Sequence, residues 1–330
     1  MAPKIDPAIL KVLSLDAAST TLASHGGSGF SSTYKLSSRA SDGQEKSYFV
    51  KTGGMGSAVM FAGEHASLST IHNIFPTLCP QSFAHGPLSS SAGSFLVTDF
   101  LNLSPPSSSK SGSGLPLAQK LAKLHSTPAP MPDGCDRSMF GFPVPTCCGD
   151  TVQNNSYRES WADFYADCRI RHILRCAEKK QGSDASLSQL VSKTASQVVP
   201  RLLRDGHLTS PDGSPIVPVL VHGDLWSGNH GKGTIGTGEV EEVIFDPSAC
   251  YAHSEFEFGI MGMFGGFEEK FNRDYWRVKG KDEPVDEWDD RRSLYELYHH
   301  LNHYAMFGGS YKTSAESIMR KLIKKYRDVS

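Results

Sequence analysis

Apolar positions follow two different rhythms along the chain. In the first hundred residues they come in short runs, Tyr34-Lys35-Leu36, Tyr48-Phe49-Val50-Lys51 and Phe95-Leu96-Val97-Thr98-Asp99-Phe100-Leu101, which predict strands. A single helical stripe interrupts them: Met60, Glu64, Leu68, Ile71 and Phe75 recur at intervals of three or four residues and predict one amphipathic helix. After the Ser/Pro/Gly-rich stretch from Ser104-Pro105-Pro106 to Gly114, which reads as a loop, helical stripes dominate. Leu117, Leu121 and Leu124 form one before His125; Trp161, Tyr165 and Cys168 form another; Leu294, Leu297, Tyr298, Leu301 and Ala305 form a third. Two apolar runs inside this helical part, Val217 to Val221 and Val243-Ile244-Phe245, again predict strands. The pattern predicts an α+β chain of two lobes: a small, mainly β lobe with one helix over residues 1–102, and a larger, mainly helical lobe over 103–330.

Length supports that division, because 330 residues exceed one typical hydrophobic core. A net charge of -2 without a long basic or acidic run argues against nucleic acid as a partner. No apolar stretch approaches the roughly 18 to 20 residues of a membrane span. The N-terminal segment, with Lys4, Asp6, Lys11 and Asp16 at intervals, lacks the apolar centre of a signal peptide, so a cytoplasmic protein without membrane attachment is expected. The seven Cys, at 79, 135, 147, 148, 168, 176 and 250, include no Cys-x-x-Cys pair and read as reduced thiols. Cys147 and Cys148 are neighbours, which do not converge easily on one zinc ion without further ligands.

The chemistry sits in His222-Gly223-Asp224-Leu225-Trp226-Ser227-Gly228-Asn229. A Gly- and Asp-rich turn after a strand is ordinary by itself. Here, however, an Asp and an Asn stand five apart after an apolar run, the spacing with which a kinase catalytic loop presents a base to a hydroxyl and an amide oxygen to a metal ion. The second run, Val243-Ile244-Phe245, ends in another acid, Asp246, before Pro247. Asn229 and Asp246 together suit magnesium, which prefers a few carboxylate or amide oxygens plus phosphate. Upstream, His25-Gly26-Gly27-Ser28-Gly29-Phe30 precedes a strand, Lys51 shares a strand face with Phe49, and Glu64 lies on the apolar stripe. A carboxylate there needs a partner, and Lys51 is the candidate. The glycines of Gly231-Lys232-Gly233-Thr234-Ile235-Gly236-Thr237-Gly238 lack the Gly-Lys-Ser/Thr ending of a phosphate loop and read as a hairpin turn.

These motifs resemble the fructosamine-3-kinase (ketosamine-3-kinase, protein-ribulosamine 3-kinase) family, a branch of the protein-kinase-like fold. The family's His-Gly-Asp-Leu-Trp-Ser-Gly-Asn stands unaltered at 222–229, and its metal-binding Asp-Pro stands at Asp246-Pro247. Tyr251-Ala252-His253-Ser254-Glu255-Phe256-Glu257, Met263-Phe264-Gly265-Gly266-Phe267 and Leu301-Asn302-His303-Tyr304 through Phe307-Gly308-Gly309-Ser310-Tyr311 are similar to its further segments, and the resemblance spans about residues 20 to 320. It implies ATP-dependent phosphorylation of the 3-hydroxyl of a ketosamine, the adduct a sugar leaves on lysine. The resulting 3-phosphate is unstable and leaves, restoring the amine, so the implied role is deglycation repair.

By the same resemblance Asp224 is the catalytic base and Asn229 and Asp246 hold Mg2+. Lys51 and Glu64 orient ATP, Gly26, Gly27, Ser28 and Gly29 cover its phosphates, and the backbone of Asp99, Phe100 and Leu101 takes the adenine. Trp226, His253 and Glu255 are the candidates for the sugar side, while Glu257 aligns with the acid that ties the catalytic loop to a following helix. Gly29 stands where many members carry a Cys capable of an intersubunit disulfide, and a monomer is expected. Protein kinases have Arg where this chain has Gly223, and Asp246-Pro247-Ser248 lacks their Phe-Gly. A choline- or aminoglycoside-type kinase, or a non-catalytic ATP-binding pseudokinase, remains an alternative.

Overall fold

The computed structural model describes residues 4–27, 29–39, 43–104, 114–236 and 238–327. The chain divides into two compact units, one comprising Met1–Leu117 with Asn229–Pro247, the other Ala118–Gly228 with Ser248–Ser330.

The first unit is built on an antiparallel sheet of β1 (Thr20–Gly27), β2 (Ser32–Arg39), β3 (Glu45–Gly53), β4 (Ser82–Pro87) and β5 (Ser94–Asp99), in the order β1-β2-β3-β5-β4. Alternation along β2, β3 and β5 sends Leu36, Tyr48, Val50, Phe95 and Val97 into one core, joined by Ile9. Helix α2 (Ser57–Ile74) buries Phe61, Glu64, Leu68 and Ile71. Its apolar stripe is therefore centred on Phe61, with Met60 only half-buried and Phe75 serving as the C-cap.

The expected single helix of this lobe has a companion, α1 (Pro7–Leu13). Asp6 caps it by accepting the Ala8 amide at 2.9 Å, and Pro7 opens it, a start signal that the short apolar content of the segment hides. The same carboxylate also accepts the amides of Ser89 at 3.0 Å and Ser90 at 2.9 Å. Burial opposes its charge, yet a hydrogen bond from the Ser90 hydroxyl, followed by these amides, holds its pKa down to about 2. Because Asp6 caps a helix and ties down a distant loop, Asp6→Ala should cost about 2 kcal/mol of stability, read as a lower urea midpoint. The contribution is present above the ordinary Asp range and lost as pH falls toward 2.

A boundary at residue 102 does not describe the units. β6 (Leu101–Leu103) pairs with the strand His230–Ile235, which forms a hairpin with Val240–Ile244. Ladder hydrogen bonds thus draw a hairpin from the second half of the sequence into the first unit, a long-range pairing that local periodicity does not register. The glycine-rich stretch after Asn229 is, as expected, hairpin rather than phosphate loop.

The second unit is mainly helical. Residues 161–181 run as one helix with a π-type segment at Tyr165–Arg171, and Trp288–Phe307 is the central long helix. Trp161, buried to 1% exposure, donates its indole N–H to the Tyr295 hydroxyl at 2.9 Å. Leu294, Leu297, Tyr298, Leu301 and Ala305 are all buried, as their spacing predicts. The short strand Val219–Val221 pairs with Cys250–Ala252. No described helix is long and apolar enough to cross a membrane.

Candidate active site

In the first unit, alternation along β3 turns Phe49 and Lys51 to the same side. Lys51 Nζ lies 2.7 Å from Glu64 Oε1 and 2.7 Å from Asp246 Oδ1. Burial acts to lower the Lys51 pKa, but the two carboxylates outweigh it and hold the ammonium above its usual range. Burial pushes Glu64 up to about 6 against the opposing pull of Lys51, with Asp246 adding to the rise. Lys51 is therefore a fixed cation shared by a buried carboxylate and one that is 50% exposed.

Asn229 and Asp246 are brought to one end of a hairpin by its register. His230 is opposite Ile244, so the residues that flank this pair lie side by side, and the Phe245 amide donates to the Asn229 carbonyl at 3.0 Å. Asp246 itself has φ of 57°, a left-handed conformation that costs a non-glycine residue energy and persists only where surroundings enforce it. A pocket of about 170 Å³ opens beside these groups. Phe49, Leu68, Leu101, Leu103 and Phe245 give it apolar walls, and Lys51, Glu64 and Asp246 add charged groups to the lining. Apolar walls with a few charged groups suit a ligand that has a flat apolar ring and a charged portion.

In the second unit the loop from His222 to Gly228 is held from below by Glu257. Its carboxylate accepts the His222 amide at 2.6 Å and the Gly223 amide at 3.0 Å. Burial acts to raise the Glu257 pKa, but His125, then His222 with its backbone amide, hold it low, so it grips the loop as an anion. Ser248 N–H donates to the His222 carbonyl at 2.9 Å, and the Asp224 amide donates to His222 Nδ1 at 3.2 Å. Gly223 has φ of 79°, and a Cβ there would lie 2.2 Å from the Ser248 carbonyl oxygen, so no side chain fits at this position. Gly228 is required for a different reason: its Cβ would strike the Trp226 indole at 2.3 Å. The indole thus rests on the loop's own backbone, with Phe264 5.4 Å away between ring centres, and stays half-exposed.

Not every expected site residue is placed for the role the sequence suggested. His25, Asp99 and Leu101 line the pocket, whereas Phe100 is buried, with its ring 4.9 Å from that of His25 and 4.6 Å from Lys35 Nζ. The Asp99 amide donates to the Gln81 carbonyl and the Phe100 carbonyl accepts from Gly236, so this part of the connector is already engaged. Gly26 and Gly27 end β1, Gly29 lies in the following bend, and Ser28 lies outside the described residues. His253 and Glu255, expected to meet the sugar, are both buried and engaged by other side chains. His253 is 1% exposed, with Tyr295 Oη at 2.8 Å from Nδ1 and Asp282 Oδ2 at 2.7 Å from Nε2. Glu255, also 1% exposed, receives two hydrogen bonds from Arg291, at 2.7 and 3.0 Å. Both belong to a buried polar network, which a sequence shows only as polar residues near a motif.

The family model for fructosamine kinase matches residues 4–325. The chain belongs to the fructosamine kinase family. It is 35% identical over 280 residues to a ketosamine-3-kinase of Mus musculus, covering 80% of this chain and 84% of that one. It is 32% identical over 281 residues to a chloroplastic protein-ribulosamine 3-kinase of Arabidopsis thaliana, covering 83% and 75%. A solved Thermobifida fusca structure assigned to the fructosamine-3-kinases shares the fold with a TM-score of 0.72 at 22% identity, over 97% of this chain and 99% of that one. The architecture is accordingly kinase-like, with an antiparallel-sheet lobe and a helical lobe.

Beside the catalytic loop of this chain stands a further residue, Cys148, that no motif marks. Its Sγ lies 3.7 Å from Asp224 Oδ1 and its exposure is 2%. Burial first, and the Asp224 carboxylate second, push its thiol pKa well up, so it stands beside the carboxylate as a neutral donor. The adjacent pair Cys147-Cys148 was the available signal, but seventy-six residues separate it from the loop it touches.

Proposed function

We propose that this fructosamine kinase transfers the γ-phosphoryl group of ATP to the 3-hydroxyl of a ketosamine on lysine or protein, so that the phosphorylated adduct leaves and the amine is restored. The observation that carries the reading is the unaltered catalytic loop, which presents Asp224 while Glu257 fixes the loop's backbone. A kinase-like fold implies ATP with a divalent cation, and the residues fit both. Asn229 and Asp246 offer an amide and a half-exposed carboxylate at one hairpin end, a donor set suited to Mg2+. The pocket suits adenine against its apolar walls and phosphate at Lys51.

When bound, ATP supplies the phosphoryl group, and Mg2+ offsets the charge that builds on the phosphate oxygens. Asp224 accepts the proton of the acceptor hydroxyl as its oxygen bonds to phosphorus and the bond to the ADP oxygen breaks. Lys51, held by Glu64, aligns the phosphates, and the walls around Phe49 and Leu101 hold the base. Trp226 offers a half-exposed indole face two residues after the base, suited to the apolar edge of a sugar and its alkyl stem.

The direct test is turnover of Mg2+-ATP with fructosyl-lysine and ribulosyl-lysine against choline and an aminoglycoside. Faster phosphorylation of either of the latter would replace the acceptor assignment with the small-molecule alternative. Trp226→Ala should raise KM for the ketosamine while leaving KM for ATP within about threefold. An equal loss for ATP would make the indole a prop for the loop.

Glu64 adds a pH signature. Its raised carboxyl pKa means that the charged pair with Lys51 exists above pH of about 6 and is lost below it. KM for ATP should therefore climb as pH falls through 6, and Glu64→Gln should give a high, flat profile. An unchanged profile in that variant would assign the titration to another group.

A further inference from the structure

Three potential ligand types meet beside the catalytic loop. Cys148 Sγ, an Asp224 carboxylate oxygen and a ring nitrogen of His299 all lie within 4.8 Å of one another. We propose that these three side chains form an inhibitory site for a soft divalent ion such as Zn2+, distinct in its residues from the Asn229 and Asp246 pair.

Distance and chemistry both favour it. A tetrahedral ion with Zn–S of about 2.3 Å and Zn–O of about 2.0 Å separates its sulfur and oxygen ligands by roughly 3.5 Å. The Cys148 to Asp224 separation is 3.7 Å. His299 is 1% exposed and its Nδ1 has no hydrogen-bond partner among the described residues, an arrangement that leaves buried imidazole capacity unused. Burial, then the neighbouring His303, hold the imidazole neutral, the form that binds metals. Each ligand also sits on a fixed support. Cys148 belongs to a short strand pair with Thr151–Val152, and its carbonyl accepts from Asn302 Nδ2 at 3.2 Å. Asn302 follows His299 by three residues on the helix Trp288–Phe307, so the helix face that carries the imidazole also anchors the strand that carries the thiol. Three protein ligands leave a fourth position for water.

Binding would release the Cys148 thiol proton to solvent, leaving the thiolate and the Asp224 carboxylate on the ion. The carboxylate would then be unable to take a proton from an acceptor hydroxyl; this consequence rests on the reading of Asp224 as the base. Magnesium would not compete, because hard oxygen-seeking ions avoid thiolates.

Cobalt(II) reports the site independently of turnover. One equivalent of Co2+ added to the full chain in excess Mg2+ should give a near-ultraviolet thiolate-to-metal band with the visible bands of a tetrahedral ion, and Zn2+ should quench both. Cys148→Ser should abolish the ultraviolet band, and His299→Gln should weaken Zn2+ binding about tenfold or more, with far-ultraviolet circular dichroism confirming that each variant is folded. Absence of the band, or a band that persists in Cys148→Ser, would overturn the site. In the ketosamine kinase assay with a buffered supply of free Zn2+, the ion should inhibit wild-type enzyme, and His299→Gln should need about tenfold more. Tight binding without inhibition would overturn the inhibitory role. If Asp224→Asn has by then lost turnover, that failure belongs to the metal proposal and not to the assignment of the base.

Discussion

Asp224→Asn is expected to lower kcat by a factor on the order of 10² to 10⁴, the usual contribution of a positioned general base. That is about 3 to 5 kcal/mol of barrier. The substitution keeps the shape of the side chain and removes its capacity to take a proton. The contacts that hold the loop do not depend on that capacity: Glu257 grips the backbone of His222 and Gly223, and the Trp226 amide donates to the Asp224 main-chain carbonyl at 3.2 Å. Thermal midpoint and ATP affinity should therefore stay close to wild type while turnover collapses. Retained turnover would remove Asp224 from the role of base. A joint loss of stability and turnover would instead indicate that the carboxylate is part of the loop's support.

The sequence made this loop readable because its residues are contiguous and each has a local reason to be there. Gly223 must adopt a left-handed conformation against Ser248, and Gly228 must leave room for Trp226. Strand alternation was equally legible: it put Phe49 and Lys51 on one side, and both line the same pocket. The helical stripe around Glu64 correctly implied a buried carboxylate in need of a cation. What local pattern missed depends on pairing across long separations. The hairpin after Asn229 joins β6, so a division of the chain by composition at residue 102 could not reproduce the units. Cys148 reaches Asp224 only through the fold, and no spacing rule connects them. Helix α1 was local and readable from Asp6-Pro7, but with Ile9 as its only buried residue it carries no apolar stripe to announce it.

His253 and Glu255, which the family resemblance offers for the sugar side, both lie buried in a polar network. Their surroundings lead to the second large effect: Glu255→Ala should destabilise the protein by about 3 to 5 kcal/mol, the usual cost of removing one partner of a buried ion pair. Arg291 would keep the carbonyls of Pro284 at 2.7 Å and Asp282 at 2.8 Å, but carbonyl dipoles do not replace a carboxylate that accepts two of its N–H groups at zero exposure. The loss should appear in a urea titration, while the fraction still folded retains its KM for ketosamine. A double variant, Glu255→Leu with Arg291→Met, separates the two explanations further. If the cost of the single change is an uncompensated charge, removing both charges should recover part of the stability, because apolar groups of similar volume commonly substitute for a buried pair with little penalty. If Glu255 instead contacts the sugar, the single variant should remain stable with a raised KM for the acceptor, and the double variant should be no better. Only the first outcome is compatible with a carboxylate that has 1% exposure and a bidentate arginine against it.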